Sequence, residues 1–557
     1  MSGFNPAFDP AFLQPSGYAD GFARAMLPPL AQWPELVCDL PSLAYPARLN
    51  CAATLLDTAL GAGWGARTAL AGAGADGSAA RWSYAELGVT VDRIAHVLVD
   101  ALGLVTGNRV LVHGANCPMT AACILAVIKA GLIAVPTMPL LRARELQAIV
   151  TKAQVNAVLC GAGLLDECAG LVPASGLLGF GSAGASTGLE ALMAHDASPF
   201  CAPDTAADDI CLISFTSGTT GIPKGTMHFH RDLVAICDCF PVHILGAQMD
   251  DVFIGTPPLA FTFGLGGLLL FPLRVGACAV LLEKLSPEAL LAAIGEYRAT
   301  VCFTAPTFYR KMADIAPGFA MPTLTRCVSA GETLPVAIRS AWGEATGIDL
   351  IDGIGATEML HIFISAAGAA IRPGATGKPI PGYRACILDD DGEMVGPGII
   401  GRLAVKGPTG CRYLDDARQV DYVVHGWNVT GDAFEMDADG YFYYRARLDD
   451  MIISAGYNIA GVEVEEVLLR HPAVLECAVV GRPDVQRGQI VEAHVVLRDA
   501  ALAGPELVLA LQAFVRAQIA PYKYPRAVIF ASQLPRTETG KLQRFKLRRH
   551  QGLHARN

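Results

Sequence analysis

From Ser83 to about Gly353 the chain alternates short apolar runs of strand length with helical repeats, and that alternation restricts it to an α/β architecture. Ser83 to Glu86 reads as a capping box ahead of apolar Leu87, Val91, Ile94, Leu98 and Leu102, a repeat closed by Gly103. Arg109 to His113 then reads as a strand, Pro118 to Lys129 as a helix and Leu132 to Pro136 as a second strand. This is a βαβ crossover, which implies parallel pairing. Strand-like runs continue at Ala157 to Cys160, Ile210 to Phe215, Val252 to Gly255, Cys278 to Leu282, Thr300 to Thr304, Arg326 to Ser329 and Leu350 to Gly353. Ser286-Pro287 opens one of the helices between them.

From about Gly377 to Tyr444 the pattern changes to short strands and tight turns, such as Asp389-Asp390-Asp391-Gly392 and Asp437-Ala438-Asp439-Gly440, and predicts a small β subdomain over about 377–445. After Arg447 it becomes mixed again: a helix from Val462 to Arg470, strands near Ala478 and from Val491 to Leu497, a helix near Pro505 to Gln518, and a strand from Val528 to Phe530. The expectation is a large N-terminal domain, 1–447, of parallel-rich α/β sheets carrying the β subdomain, followed by an α+β domain over 448–557. The first fifty residues are proline-rich, with a short helical pattern around Tyr18 to Met26, and should wrap the surface of the first domain.

Composition excludes several function classes. A net charge of −10 argues against nucleic acid as a partner. Sixteen cysteines without CxxC pairs in a long chain fit reduced thiols and a cytoplasmic protein. Met1 to Gly17 has neither a basic nor an apolar leader segment. The longest apolar run, Leu265 to Leu282, is broken by Gly266, Gly267, Pro272, Arg274 and Gly276, so it reads as a core helix and strand rather than a membrane span. His228 and His230, which would share a face of a strand, have no third ligand nearby in sequence and are assigned no metal.

The chemistry-bearing stretch follows the strand at Ile210. Ser214-Phe-Thr-Ser-Gly-Thr-Thr-Gly-Ile-Pro-Lys-Gly225 is a phosphate loop: Gly218 and Gly221 let the backbone approach an anion, Thr216, Ser217, Thr219 and Thr220 add hydroxyl donors, and Lys224 adds charge. It is not the GxxxxGK[ST] loop, because Gly225 follows the lysine. Further stretches stand in order behind it: Ala330-Gly331-Glu332, Asp352-Gly353-Ile354-Gly355-Ala356-Thr357-Glu358, Thr430-Gly431-Asp432, Arg447-Leu448-Asp449-Asp450 leading into Ser454-Ala455-Gly456-Tyr457-Asn458, and Pro535-Arg536-Thr537-Glu538-Thr539-Gly540-Lys541.

Together, in this order, these motifs resemble the adenylate-forming superfamily of acyl-CoA synthetases, peptide-synthetase adenylation domains and luciferases, over essentially the whole chain. Phe22-Ala23-Arg24, Leu27-Pro28-Pro29, Gln32-Trp33-Pro34 and Met359-Leu360-His361-Ile362-Phe363 look like the benzoate-CoA ligase group, and most like 2-aminobenzoate-CoA ligases. The resemblance implies an ATP-dependent ligase with Mg²⁺ and coenzyme A, acting on a small aromatic acid, 2-aminobenzoate or benzoate. Thr216 to Lys224 would hold the β and γ phosphates, Thr357 the α-phosphate and Glu358 the Mg²⁺. Asp432, with Arg447 alongside, would take the ribose, while Ala330, Gly331, Glu332 and Asp352 border the adenine. Lys541 would catalyse adenylation. Gly456 would line the pantetheine tunnel, and Asp449 would be the hinge about which a mobile C-terminal domain exchanges Lys541 for the Gly456 loop.

The chain departs from many relatives in having Ile354 where an aromatic residue stacks beside adenine, and Phe261 where others carry histidine. Phe261, Ala330, Ile354, Gly355 and His361 are the candidates for the acyl pocket, with His361 as an acceptor for an ortho amino group. Two other readings stay open: an enzyme that loads an aryl group onto a carrier protein, and a catalytically silent nucleotide-binding regulator. Neither a membrane partner nor a nucleic-acid partner is expected, and the state is a monomer or a homodimer.

Overall fold

The computed structural model describes residues 13–73, 79–181, 188–194, 196, 198–216, 223–283, 286–447, 450–454, 457–484, 487–519, 521–536 and 542–549. Six strands form one sheet in the spatial order Leu177–Phe180, Ala157–Gly161, Arg109–His113, Ile133–Thr137, Ile210–Thr216 and Lys224–Phe229. All neighbours are parallel except the last pair. The expected crossover is present, with every residue of its helix Pro118–Lys129 buried. That is why its strands read as continuous apolar runs rather than alternating ones.

A nine-stranded sheet runs Lys378–Pro379, Ile362–Ser365, Leu350–Gly355, Arg326–Ala330, Val301–Thr304, Val252–Gly255, Cys278–Leu281, Thr68–Ala73 and Ala79–Ser83. Its interior pairs are parallel, and the pairings at both edges are antiparallel. The capping box at Ser83 opens the helix Tyr84–His96 as expected, both reciprocal hydrogen bonds being made. The apolar run after Thr262 forms Thr262–Leu265, a wider turn over Gly266–Leu270 and Phe271–Val275, then the buried strand. Among the described residues no helix is long and apolar enough to cross a membrane.

Arg384–Leu388, Ile400–Lys406, Trp427–Met436, Val423–Val424 and Phe442–Arg447 make a five-stranded antiparallel sheet. The segment before residue 50 straps these sheets together: Ser16 Oγ and Gly17 N donate to Asp209, and Val37 N donates to the Gly407 carbonyl. Beyond residue 450 the strands Val474–Asp484, Gly488–Leu497, Ala527–Phe530, Ile452–Ser454 and Tyr457–Ile459 form a further sheet. Helices Gly461–Leu468 and Pro505–Gln518 cover one face through Val464, Leu468, Leu511 and Val515, packed on Val479, Val491 and Val495. Ala478, Val480 and Val496 face the other way, against Leu534 and Leu547. The α/β class with a C-terminal α+β part is what the chain forms.

Candidate active site

Thr216 and Lys224 face each other across the antiparallel pair Ile210–Thr216 and Lys224–Phe229, so they are the two posts of the glycine-rich loop. Ser217, Gly218, Thr219, Thr220 and Gly221 lie outside the described residues, as do Asp449, Gly456 and Lys541. Lys224 Nζ donates to the Tyr413 hydroxyl at 3.0 Å and stands 3.8 Å from Glu358 Oε1; the Tyr413 hydroxyl donates to the same Oε1 at 2.5 Å. Burial, reinforced by Glu358, pushes the Tyr413 phenol far above its ordinary value, so it acts here as a neutral donor. Tyr413 reaches the site because its segment pairs with the outgoing strand: Met227 N donates to Arg412 O and Leu414 N to Gly225 O, each at 2.8 Å. Nothing in the sequence pattern marked Tyr413, since a single tyrosine in Cys411-Arg412-Tyr413 carries no periodic or motif signal.

Glu358 is delivered by a hairpin. Leu350–Gly355 turns back through Thr357–Met359 into Ile362–Ser365, with Ile354 opposite Ile364 and Gly355 opposite Ile362. A side chain at Gly355 would lie 2.7 Å from the His361 carbonyl oxygen, so glycine is needed where the hairpin closes. Thr357 is half-buried and Glu358 is 8% exposed.

Asp432 and Arg447 are register partners on neighbouring strands, and Arg447 Nη1 lies 3.1 Å from Asp432 Oδ1. Burial raises the Asp432 carboxyl and Arg447 opposes that shift. Ala330 ends its strand, Gly331 turns at φ +87°, and Glu332 Oε2 then accepts from Thr307 N at 3.3 Å. Asp352 sits on the adjacent strand, opposite Ser329. Burial pushes its carboxyl up from 3.8 to about 7, with Arg339 pulling the other way.

His361 closes the hairpin loop and is 3% exposed. Burial drives the imidazole down to about 3, opposed by the Phe263 backbone carbonyl, so it is neutral, and neither ring nitrogen makes a hydrogen bond of ordinary length and angle. Its ring lies among Phe271 at 4.5 Å, Phe240 at 5.4 Å, Phe263 at 5.7 Å and Phe303 at 6.3 Å between centroids. Gly266 makes room for it: a side chain there would meet His361 Cδ2 at 2.5 Å. Ile354 and Gly355 adjoin His361 through the hairpin, and Ala330 pairs with Gly353 one strand over. Phe261 is the half-buried residue preceding the helix Thr262–Leu265, and the ring that this helix lays against His361 is Phe263. Sequence reasoning did not single out Phe263, which stands in the same short apolar run as Phe261.

His228 and His230 do not share a strand. His228 is in Lys224–Phe229, whereas His230 opens the helix His230–Phe240, where its Nδ1 accepts from Cys51 N at 3.2 Å beside Cys211. The Tyr18 hydroxyl lies 3.2 Å from its Nε2, so both ring nitrogens of His230 have partners in the core.

The model of a family described as AMP-binding enzyme matches residues 58–412, and that of the AMP-binding enzyme C-terminal domain matches 463–541. The chain is 36% identical over 520 residues to benzoate-CoA ligase of Thauera aromatica, covering 91% of this chain and 97% of that one. A crystal structure of the anthranilate CoA ligase AuaEII in complex with anthranoyl-AMP superposes with TM-score 0.86 at 32% identity, covering 93% of this chain and all of that one. A benzoate CoA ligase from Burkholderia xenovorans LB400 gives 0.81 at 33%, over 90% of this chain and all of its own.

Proposed function

The chain belongs to the AMP-binding enzyme family, and from that premise we propose that it is an AMP-forming ligase joining an aromatic carboxylic acid, 2-aminobenzoate or benzoate, to coenzyme A. The observation that carries the aromatic reading is the neutral His361 ring, enclosed by four phenylalanines and placed on the same hairpin as Thr357 and Glu358. Apolar rings of this kind suit a flat aryl group, and the one lone-pair nitrogen of the neutral imidazole would offer an ortho amino group its acceptor.

In this reading a carboxylate oxygen attacks the α-phosphorus of ATP, pyrophosphate leaves, and the thiol of coenzyme A then displaces AMP from the acyl carbon. The first step concentrates negative charge, and catalysis consists of positioning and charge stabilisation. Thr216 and Lys224 flank the β and γ phosphates, Thr357 reaches the α-phosphate, and Asp432 takes the ribose hydroxyls while Arg447 holds its carboxylate in place. Glu358 would be an oxygen ligand for Mg²⁺, which when bound would supply charge that offsets the phosphates. Tyr413 and Lys224 fix the Glu358 carboxylate before nucleotide arrives. Lys541 bridges the attacking carboxylate and the α-phosphate.

The direct test is thioester formation by the purified protein with ATP and Mg²⁺ across 2-aminobenzoate, benzoate, 2-hydroxybenzoate and a medium-chain fatty acid. The aryl acids should react and the fatty acid should not; preference for the fatty acid would overturn the proposal. His361→Leu should lower kcat/KM for 2-aminobenzoate relative to benzoate by about tenfold, the loss of one hydrogen bond in an apolar slot. An unchanged ratio would leave a pocket that selects by shape alone.

Asp352, placed at the adenine in this reading, gives a pH signature. A purine amino group donates to the ionised carboxyl, which predominates only above about 7. The KM for ATP in pyrophosphate exchange should therefore fall as pH rises through that value. Asp352→Asn should remove this part of the profile; superimposable profiles would take Asp352 out of the nucleotide site.

A further inference from the structure

The turn that carries Thr357 and Glu358 has a shape the backbone seldom takes. Leu360 closes it at φ +68° and ψ −44°, close to the γ-turn conformation that is rare and strained for a residue with a side chain. Leu360 is fully buried, so packing holds it where its own backbone preference would not. Such a turn persists only where its surroundings over-determine it.

Part of the hold is local: Met359 N donates to the Ala356 carbonyl at 3.0 Å and Leu360 N to the Thr357 carbonyl at 3.2 Å. The Met359 carbonyl is held from elsewhere in the chain, by Thr409 Oγ1, which donates to it at 2.9 Å. Thr409 is fully buried and its one proton is committed to that carbonyl, so the Tyr383 hydroxyl, 3.2 Å away, donates to Thr409 Oγ1. Burial holds the Tyr383 phenol well above its ordinary value, which keeps it a neutral donor. Gly407 gives that ring its place, since a side chain there would lie 2.3 Å from Tyr383 Cδ1. A buried threonine needs a reason where valine has the same shape, because its hydroxyl must be desolvated. The Met359 carbonyl supplies one.

Thr409 stands four residues before Tyr413, whose hydroxyl donates to Glu358. One segment therefore grips the turn at two consecutive residues, Glu358 by its carboxylate and Met359 by its carbonyl. That segment is itself fixed between the two grips, Cys411 N donating to Asn428 Oδ1 and Tyr413 N to Gln419 Oε1, each at 2.9 Å. Tyr413 fixes a side chain, whereas Thr409 fixes the backbone from which that side chain and Thr357 spring.

We propose that Thr409 is a positioning residue for adenylation: backed by Tyr383, its hydroxyl holds the Met359 carbonyl, keeps the strained turn closed and so aims Thr357 and Glu358 at the triphosphate. The proposal rests on the ligase reading above. Thr409 touches no reacting atom, and its effect passes through the turn.

The experiment measures both half-reactions in Thr409→Val, Thr409→Ser and Tyr383→Phe. Valine keeps the shape and removes the hydroxyl, so kcat for aryl-acid-dependent exchange of pyrophosphate into ATP should fall by about tenfold or more, the scale set by a small misplacement of positioned groups. Thioester formation from supplied aryl-AMP should stay within about twofold of the parent, because the charge that Glu358 helps to offset leaves with pyrophosphate. Serine restores the hydroxyl and should bring exchange back to within about threefold. Tyr383→Phe keeps the bond to Met359 and removes only its outer donor; the same one-sided loss, about two- to threefold, should follow, and it reads the relay even where the valine variant does not fold. Parental exchange in Thr409→Val would overturn the proposal. So would an equal loss in both half-reactions, or a serine variant as slow as the valine one, either of which would mark a structural role only. A parent protein in which no aryl acid supports exchange would instead overturn the ligase reading, and the role given to Thr409 with it.

Discussion

Replacing Lys541 by alanine should all but abolish aryl-adenylate formation, lowering pyrophosphate exchange by about a hundred- to a thousandfold, the usual cost of removing one preorganised stabiliser of transition-state charge. Thioester formation from supplied aryl-AMP should continue near the parental rate. The split follows from the roles proposed above, which would give Lys541 to adenylation and the Gly456 stretch to thioester formation. A rotation about Asp449 would exchange them between the half-reactions. Asp449→Pro fixes φ and removes an N–H at the pivot, so it should produce the reverse pattern, with thioester formation impaired more than exchange. Equal loss of both steps in Lys541→Ala would sink the two-conformation arrangement, and an unaffected second step in Asp449→Pro would remove the hinge.

What could be seen in the sequence was set by how each part signals. Parallel strands buried on both faces announce themselves as apolar runs, which is why Arg109–His113, Val252–Gly255 and the helix Pro118–Lys129 stand where the pattern places them. Thr68–Ala73 escaped because Thr-Ala-Leu-Ala-Gly-Ala has almost no β-branched or aromatic content; it is a strand because it fills the place between Cys278–Leu281 and Ala79–Ser83. Lys224–Phe229 was hidden behind the loop, and its pairing with Ile210–Thr216 is what sets Thr216 opposite Lys224. At the site, motif residues could be named because glycine, threonine and acid at fixed spacing have a chemical reason. Tyr413 and the rings around His361 could not: their roles come from contacts between segments far apart in the chain, such as Glu358 with Tyr413, and single-residue patterning does not encode those.

Arg412 belongs to the same unseen set and ties the stability of the fold to the site. Its side chain is fully buried, donates through Nη1 to Asp232 Oδ2 at 2.9 Å, and lies 4.1 Å over the Phe229 ring and 5.1 Å over Trp33. Asp232 in turn caps its helix by accepting from Phe229 N at 3.0 Å. Arg412→Met removes one charge of a fully desolvated pair and leaves Asp232 with only the longer charge contact to Arg231 at 3.9 Å, so the loss should reach at most about 3–5 kcal/mol, the cost of breaking a buried pair. Adding Asp232→Asn should recover most of that loss, since an amide costs far less to bury than a carboxylate. The urea midpoint read by tryptophan fluorescence checks both, and a single variant that unfolds with the parent would show the pair to be inert. The single variant should also lose exchange activity below its unfolding midpoint. The Arg412 carbonyl accepts from Met227, so this pairing holds the next residue, Tyr413, against Glu358. If the double variant regained stability but not exchange, the buried pair would be placing Tyr413 as well as holding the sheets together.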